Sequence, residues 1–152
     1  MKLNLRPMSQ ADLDDYIAAS TEHFVDELIR AGTTEDRARA IAAESLVESF
    51  ADGRLINDNE VFDVLDGDAQ VGTLWLGPQS PETWYVMDIE IREELRQRGY
   101  GRATMLLAED VARRHGATHI GLNVFGHNPN AHALYVSLGY QTQAIRMRKP
   151  LL

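Results

Sequence analysis

Cysteine is absent from the sequence, which excludes disulfides, a thiol nucleophile and thiolate-held metals. The histidines, at positions 23, 115, 119, 127 and 132, show no ligand spacing of the zinc type, so no metal is expected. Long apolar runs are also missing. No window approaches the ~18 apolar residues of a membrane helix, and the opening Met1-Lys2-Leu3-Asn4-Leu5-Arg6-Pro7 lacks the apolar core of a signal peptide, so a soluble cytoplasmic protein without a membrane partner is expected. Lysine is confined to Lys2 and Lys149, which removes the Gly-Lys-Ser/Thr ending of a Walker phosphate loop. A basic surplus is lacking as well. The formal net charge of −8 opposes a nucleic-acid footprint.

That charge is unevenly spread. Residues 1–76 hold 16 acidic and 6 basic side chains, whereas residues 77–152 hold 7 and 9. An anionic ligand would meet the second half more easily, and the acidic half could favour a cationic amine, although such charge also serves simply as solvated surface. The 152 residues suit one domain, spanning 1–152, with no linker or repeat to divide them.

The chemistry-bearing stretch is Arg96-Gln97-Arg98-Gly99-Tyr100-Gly101-Arg102, between a strand-like run (Trp84 to Ile91) and a helix-like segment (Ala103 to His115). Two glycines one residue apart let the backbone turn tightly, so consecutive N–H groups can face one concavity at the positive end of a helix. Three arginines surround that turn, and guanidinium groups match phosphate oxygens in a fork. The expected guest is a diphosphate. A dinucleotide fingerprint is excluded, because Thr104 stands where its third small residue belongs and no acid follows near Leu122 or Asn123.

Arg-x-x-Gly-x-Gly after a strand and opening a helix resembles the GNAT superfamily of acyl-CoA N-acyltransferases. The likeness extends to Asn128-Pro129-Asn130-Ala131-His132-Ala133-Leu134-Tyr135-Val136-Ser137-Leu138-Gly139-Tyr140, which matches the family's Asn-x-x-Ala-x-x-Leu-Tyr-x-x-x-Gly-aromatic stretch. The resemblance covers roughly Trp84 onward; the first half is matched only in its coarse pattern. It implies an α+β fold with a central mixed, mostly antiparallel twisted sheet of about 6–7 strands flanked by about four helices. It also implies acetyl-CoA as co-substrate and an amine as acceptor: a small molecule, a peptide N-terminus or a lysine.

The coarse pattern supplies the elements. Leu3 to Arg6 alternates as a first strand. Ser9 caps a helix that continues, with a break, to Ile29, and Thr34 caps a second from Glu35 to Ala51, stopped by Asp52-Gly53. Val61 to Leu65 and Gln70 to Leu76 flank an Asp-Gly turn as a β-hairpin. The helix after the phosphate turn shows Ala103, Leu106, Leu107 and Val111 on one face, His119 to Phe125 is strand-like, and Asn128-Pro129 opens a short helix that Gly139 ends. Tyr140 to Thr142 and Ile145 to Arg148 would close the sheet as a hairpin, whose exposed edge could pair with a second chain in a homodimer.

By resemblance, the pantetheine arm lies where the strands Trp84 to Ile91 and His119 to Phe125 splay, paired with backbone at Ile89 and Ile91, one N–H of which would face the oxyanion. The amides of Gln97, Arg98, Gly99, Tyr100, Gly101 and Arg102, with Arg96, would hold the diphosphate, and Asn128 and Ala131 would contact the cofactor. Tyr135 is implied as the acid that protonates the leaving thiolate. Its place in the stripe Ala131, Leu134, Tyr135, Leu138 also suits a core residue. Asp88 and Glu90 lie on one face of their strand, and Glu90 is the candidate base, against the option of no dedicated base. Asn128 reads as an N-cap as well as a contact, and the arginines also read as surface charge. A non-catalytic acyl-CoA-binding module is the alternative function.

Overall fold

The computed structural model describes residues 1–152. Strand β1 (Leu3–Pro7) leads into α1 (Gln10–Arg30) and α2 (Glu35–Val47), then a small hairpin of β2 (Phe50–Ala51) and β3 (Arg54–Leu55). Strands β4 (Glu60–Asp66), β5 (Ala69–Pro78) and β6 (Thr83–Ile91) follow, then α3 (Tyr100–Arg114), β7 (His119–Leu122) and α4 (Pro129–Ser137). The main sheet has the order β1-β4-β5-β6-β7. Its pairs are antiparallel except β6 with β7, which run parallel.

The caps form where the sequence puts them. Ser9 Oγ accepts from the Asp12 amide, Thr34 Oγ1 from Arg37, and Asn128 Oδ1 from Ala131. Two helical expectations change. α1 runs unbroken, and α2 stops at Val47 because Asp52 and Gly53 both take positive φ, as a two-residue hairpin turn demands, and fold Phe50 onto Leu55.

The sheet's two faces are covered by different helices. On one, Met105, Ala108, Val111 and Ala112 of α3 pack against Val64, Leu74, Leu76, Trp84 and Val86. On the other, Leu13 of α1 packs with Val61 and Trp75, and Val25 packs with Ala38 and Ala42 of α2. The buried stripe of α3 is thus rotated from the expected one: Leu106 is exposed and Thr104 buried. Ala108 and Ala112 on the buried stripe let the helix lie close to the sheet.

The expected C-terminal hairpin does not form. After α4 the chain from Tyr140 to Leu152 carries no strand, β7 ends at Leu122 rather than Phe125, and the main sheet has five strands instead of six or seven. The cause is legible: residues 141–147 contain no Gly, Pro, Asn or Asp, so nothing turns a hairpin there.

Candidate active site

The site begins with a gap. β6 pairs with β5 along its length to Ile91, but with β7 only from Thr83 to Val86. From Met87 onward its outer edge is open. Arg92 N donates to Val71 O across the β5 side, so strand alternation turns the N–H and C=O of Ile89 and Ile91 toward the opening. Of these four groups, the Ile91 carbonyl is taken, accepting from Arg96 Nε at 2.9 Å, and the Ile89 amide lies close enough to the Asp88 carboxylate to lower its pKa slightly.

A bulge sets which side chains face the gap. Leu76 pairs with Val86 and Trp75 with Asp88, leaving Met87 as the extra residue. Val86 and Ile89 therefore both join the α3 side of the core, while Asp88 and Glu90 share the face that carries Trp75 and α1. Asp88 and Glu90 lie on one face as expected; Met87 is displaced by the bulge.

At the end of β6 the chain passes a single 3₁₀ turn and enters the phosphate-seat candidate. Gln97 (φ +61°) and Gly99 (φ +86°) adopt left-handed conformations either side of Arg98, curling the backbone into a concave turn. The ladder of α3 begins with Ala103 N on Gly99 O, and no turn, loop or cap carbonyl receives an N–H from Gln97 to Arg102. These six donors stand at the N-terminus of a 15-residue helix. Gly101 sits 3.4 Å, measured from a would-be Cβ, from Leu134 Cδ2, so a small residue there admits α4.

The three arginines are used differently. Arg96 holds the Ile91 carbonyl, Arg102 donates to Ser137 Oγ on α4, and Arg98 is exposed with no bonded partner. The Tyr100 hydroxyl donates to Asp66 Oδ2 at 2.8 Å, so this side chain braces the turn against the β4–β5 end.

α4 carries Tyr135. Its ring lies edge-on to Tyr140 with centroids 5.9 Å apart, and its hydroxyl has no protein hydrogen-bond partner. Burial, then the negative charge of Asp88, raises its pKa above the ordinary tyrosine value. The Asn128 side chain and the Ala131 amide are bonded to each other as the cap.

Two residues that sequence reasoning did not single out complete the surroundings. Tyr16 of α1 donates to Asp88 Oδ2 at 2.7 Å. Burial raises the Asp88 pKa, the Tyr16 bond opposes that rise, and the Glu90 charge adds to it. His127, stacked on Phe125, bonds Glu27 and so fastens α1 to the loop after β7. Neither had a local signal, because the partners are 72 and 100 residues apart in the chain. Outside the gap, a groove lined by Arg6, Asp12, Asp15, Tyr16, Asp63, Gln70 and Thr73, with Arg6 paired to Asp63 at 3.0 Å, adjoins at Gln70 and Thr73 a second hollow that holds Glu90 and Arg92.

An acyl-transfer class of protein fits this arrangement: a strand edge left open beside a turn of free amides, with a tyrosine hydroxyl on α4 that bonds nothing in the protein and feels the charge of Asp88 on that strand. The comparisons agree. The model of the acetyltransferase (GNAT) family matches residues 17–140, and the chain belongs to that family and is an acyltransferase. Among its relatives, the uncharacterized N-acetyltransferase YycN of Bacillus subtilis is 26% identical over 99% of this chain and 100% of its own length; YdgE of the same organism is 27% identical over 99% of each. The crystal structure of YycN superposes with a TM-score of 0.89 over 99% of both chains. AAC(6')-Iy, solved with the bisubstrate analogue CoA-S-monomethyl-acetylneamine, shares the fold at a TM-score of 0.58, 16% identity and 99% and 100% coverage. No helix is long and apolar enough to cross a membrane.

Proposed function

We propose that the protein transfers an acetyl group from acetyl-CoA to a cationic primary amine by direct attack. The observation that carries this is the open edge of β6 from Met87 to Ile91 running into the turn of six free amides. The residues present fit the co-substrate: amides 97–102 and the unpaired Arg98 suit a diphosphate, and the outward groups of Ile89 and the Ile91 N–H suit an extended amide-bearing arm. When bound, acetyl-CoA supplies an acyl carbon activated as a thioester.

The chain's own groups then divide the work. The outward N–H at Ile89 or Ile91 is the donor for developing negative charge on an acyl oxygen. Tyr135 holds its proton on Oη through the neutral range and offers it to sulfur as thiolate charge develops. On the opposite face, Glu90 accepts the proton of the amine, with Asp88, fixed by Tyr16, as the adjoining carboxylate. The groove along α1, in which Asp12 and Asp15 have no basic partner, receives the amine as a cation and adjoins the hollow that holds Glu90.

The test is thiol release from acetyl-CoA against a panel of mono-, di- and polyamines, peptides and lysine derivatives. Turnover with cationic primary amines is expected. Coenzyme A binding without turnover on any amine would favour a non-catalytic acyl-CoA-binding module instead. For Glu90→Gln the lower limb of the pH–rate profile should move; an unchanged limb removes Glu90 from the base role.

A further inference from the structure

Helix α1 is bonded to both sides of the gap. Beyond Val86 the strands β6 and β7 share no pairing, so no ladder fixes the distance between them. On one side Tyr16 donates to Asp88 of β6, and further along the same helix Glu27 bonds His127 in the loop that follows β7. With ~3.6 residues per turn, Tyr16, Ser20, His23 and Glu27 fall on one face of α1, and the two bonds stand ~16 Å apart along it. The Glu27–His127 contact is largely shielded from water: the two side chains are 17% and 23% exposed. Arg30 Nη1 lies 3.6 Å and His23 Nε2 3.9 Å from the same carboxylate, and Phe125 stacks on the imidazole.

What this bond fixes is the start of α4. His127 immediately precedes Asn128, whose side chain caps the helix, and Asn128 N bonds Phe125 O within the same loop. α4 has no fully buried residue to anchor it. Ala131, Leu134, Tyr135 and Leu138 are half-buried, and Arg102 of α3 holds the far end through Ser137 Oγ. A short helix seated this shallowly takes its direction from the contacts at its two ends. Tyr135 lies between those ends, close enough to Asp88 for that charge to act on it.

We propose that Glu27 is a positioning residue for acyl transfer: through His127 it holds the start of α4, and with it the Tyr135 hydroxyl, in fixed relation to Asp88, which the same helix holds through Tyr16. The role rests on the reading of Tyr135 as the acid. Glu27 touches no reacting atom. One helix sets the spacing between the proton donor and the proton-accepting carboxylates across a gap that the sheet leaves unbridged, and a group displaced by ~1 Å can lose ~10²-fold in rate.

The experiment measures thiol release with acetyl-CoA and the fastest amine of the panel, alongside coenzyme A affinity by calorimetry. Glu27→Ala should lower kcat by about 10–100-fold and leave coenzyme A binding within about twofold of the parent. His127→Ala breaks the same bond from the loop side, leaves α1 intact, and should give a loss of the same size; the two substitutions together should lose no more than either alone. The deciding readout is the Tyr135→Phe background. With the hydroxyl already gone, Glu27→Ala or His127→Ala should cost less than about twofold. An equal fold-loss in both backgrounds marks a general defect of the fold and overturns the proposal. So does a Glu27→Ala protein with parental kcat, a loss confined to coenzyme A affinity, or losses that multiply in the Glu27, His127 pair. A panel without turnover, or a Tyr135→Phe protein that keeps the parental rate, removes the acid and this role with it, whereas a slow Tyr135→Phe protein in which Glu27→Ala costs as much as in the parent leaves the acid standing and refutes the positioning alone.

Discussion

Replacing Tyr16 by Phe removes one hydroxyl from the face of α1 and leaves Asp88 without its 2.7 Å donor. Asp88 is half-buried, and burial is the largest cause of its raised pKa. A hydrogen bond to a charged group contributes ~1.5–3 kcal/mol and one between neutral groups ~0.5–1.5 kcal/mol. The sign with pH follows. A carboxyl whose folded pKa lies above its unfolded value favours the fold below the unfolded pKa, and that contribution is lost as pH rises through the folded pKa. The Tyr16 bond lowers the Asp88 pKa, so its removal raises the folded value further and the penalty grows with pH. At pH 8 the variant should lose the charged-bond amount, a fall in Tm of roughly 5–10 °C for a chain of this size. At pH 4 the loss should shrink toward the neutral-bond amount. Tyr16 itself, its own pKa raised well above the ordinary value, stays neutral throughout. Urea denaturation of both proteins at the two pH values measures the difference. An equal loss at both, or none at either, refutes the coupling between these residues.

Tyr135→Phe should fold like the parent, because the hydroxyl bonds nothing in the protein, and should lower the rate of thiol release by about 10²–10⁴-fold where chemistry limits; an undiminished rate removes the acid. Arg98→Ala should weaken coenzyme A binding by roughly 10–100-fold, measured by calorimetry, because this guanidinium has no competing partner in the fold. Gly72→Ala should cost more than ~3 kcal/mol in urea denaturation, since its Cβ would meet the Glu90 carbonyl oxygen, a main-chain atom held in the ladder, at 2.2 Å. A stable Gly72→Ala protein would show that β5 and β6 separate more easily than their register suggests.

What could be read from the sequence was local. Gly99 and Gly101 after an apolar run announced a turn of free amides, Asn128-Pro129 announced a helix start, and Asp66-Gly67 a hairpin; each depends on residues a few positions apart. Alternation placed Ile89 and Ile91 correctly against Asp88 and Glu90 but could not locate the extra residue at Met87, because a bulge depends on the partner strand's register. The partners of Asp88 and Glu27 escaped notice since Tyr16 and His127 lie 72 and 100 residues away. The C-terminal hairpin failed for a different reason. Its alternation was sound, but its turn residues were missing, and a strand pattern names no partner.

The half-open state of β6 also gives the molecule an internal reporter. Between Met87 and Arg92, alternate amides are locked into the ladder with β5 while those of Ile89 and Ile91 point to the unpaired side. In deuterium exchange the free protein should therefore display an odd–even rhythm along this one strand, quick at 89 and 91, slow at 90 and 92. A molecule lodged in the cleft as a surrogate strand would flatten that rhythm, so occupancy could be followed residue by residue with no label and no turnover.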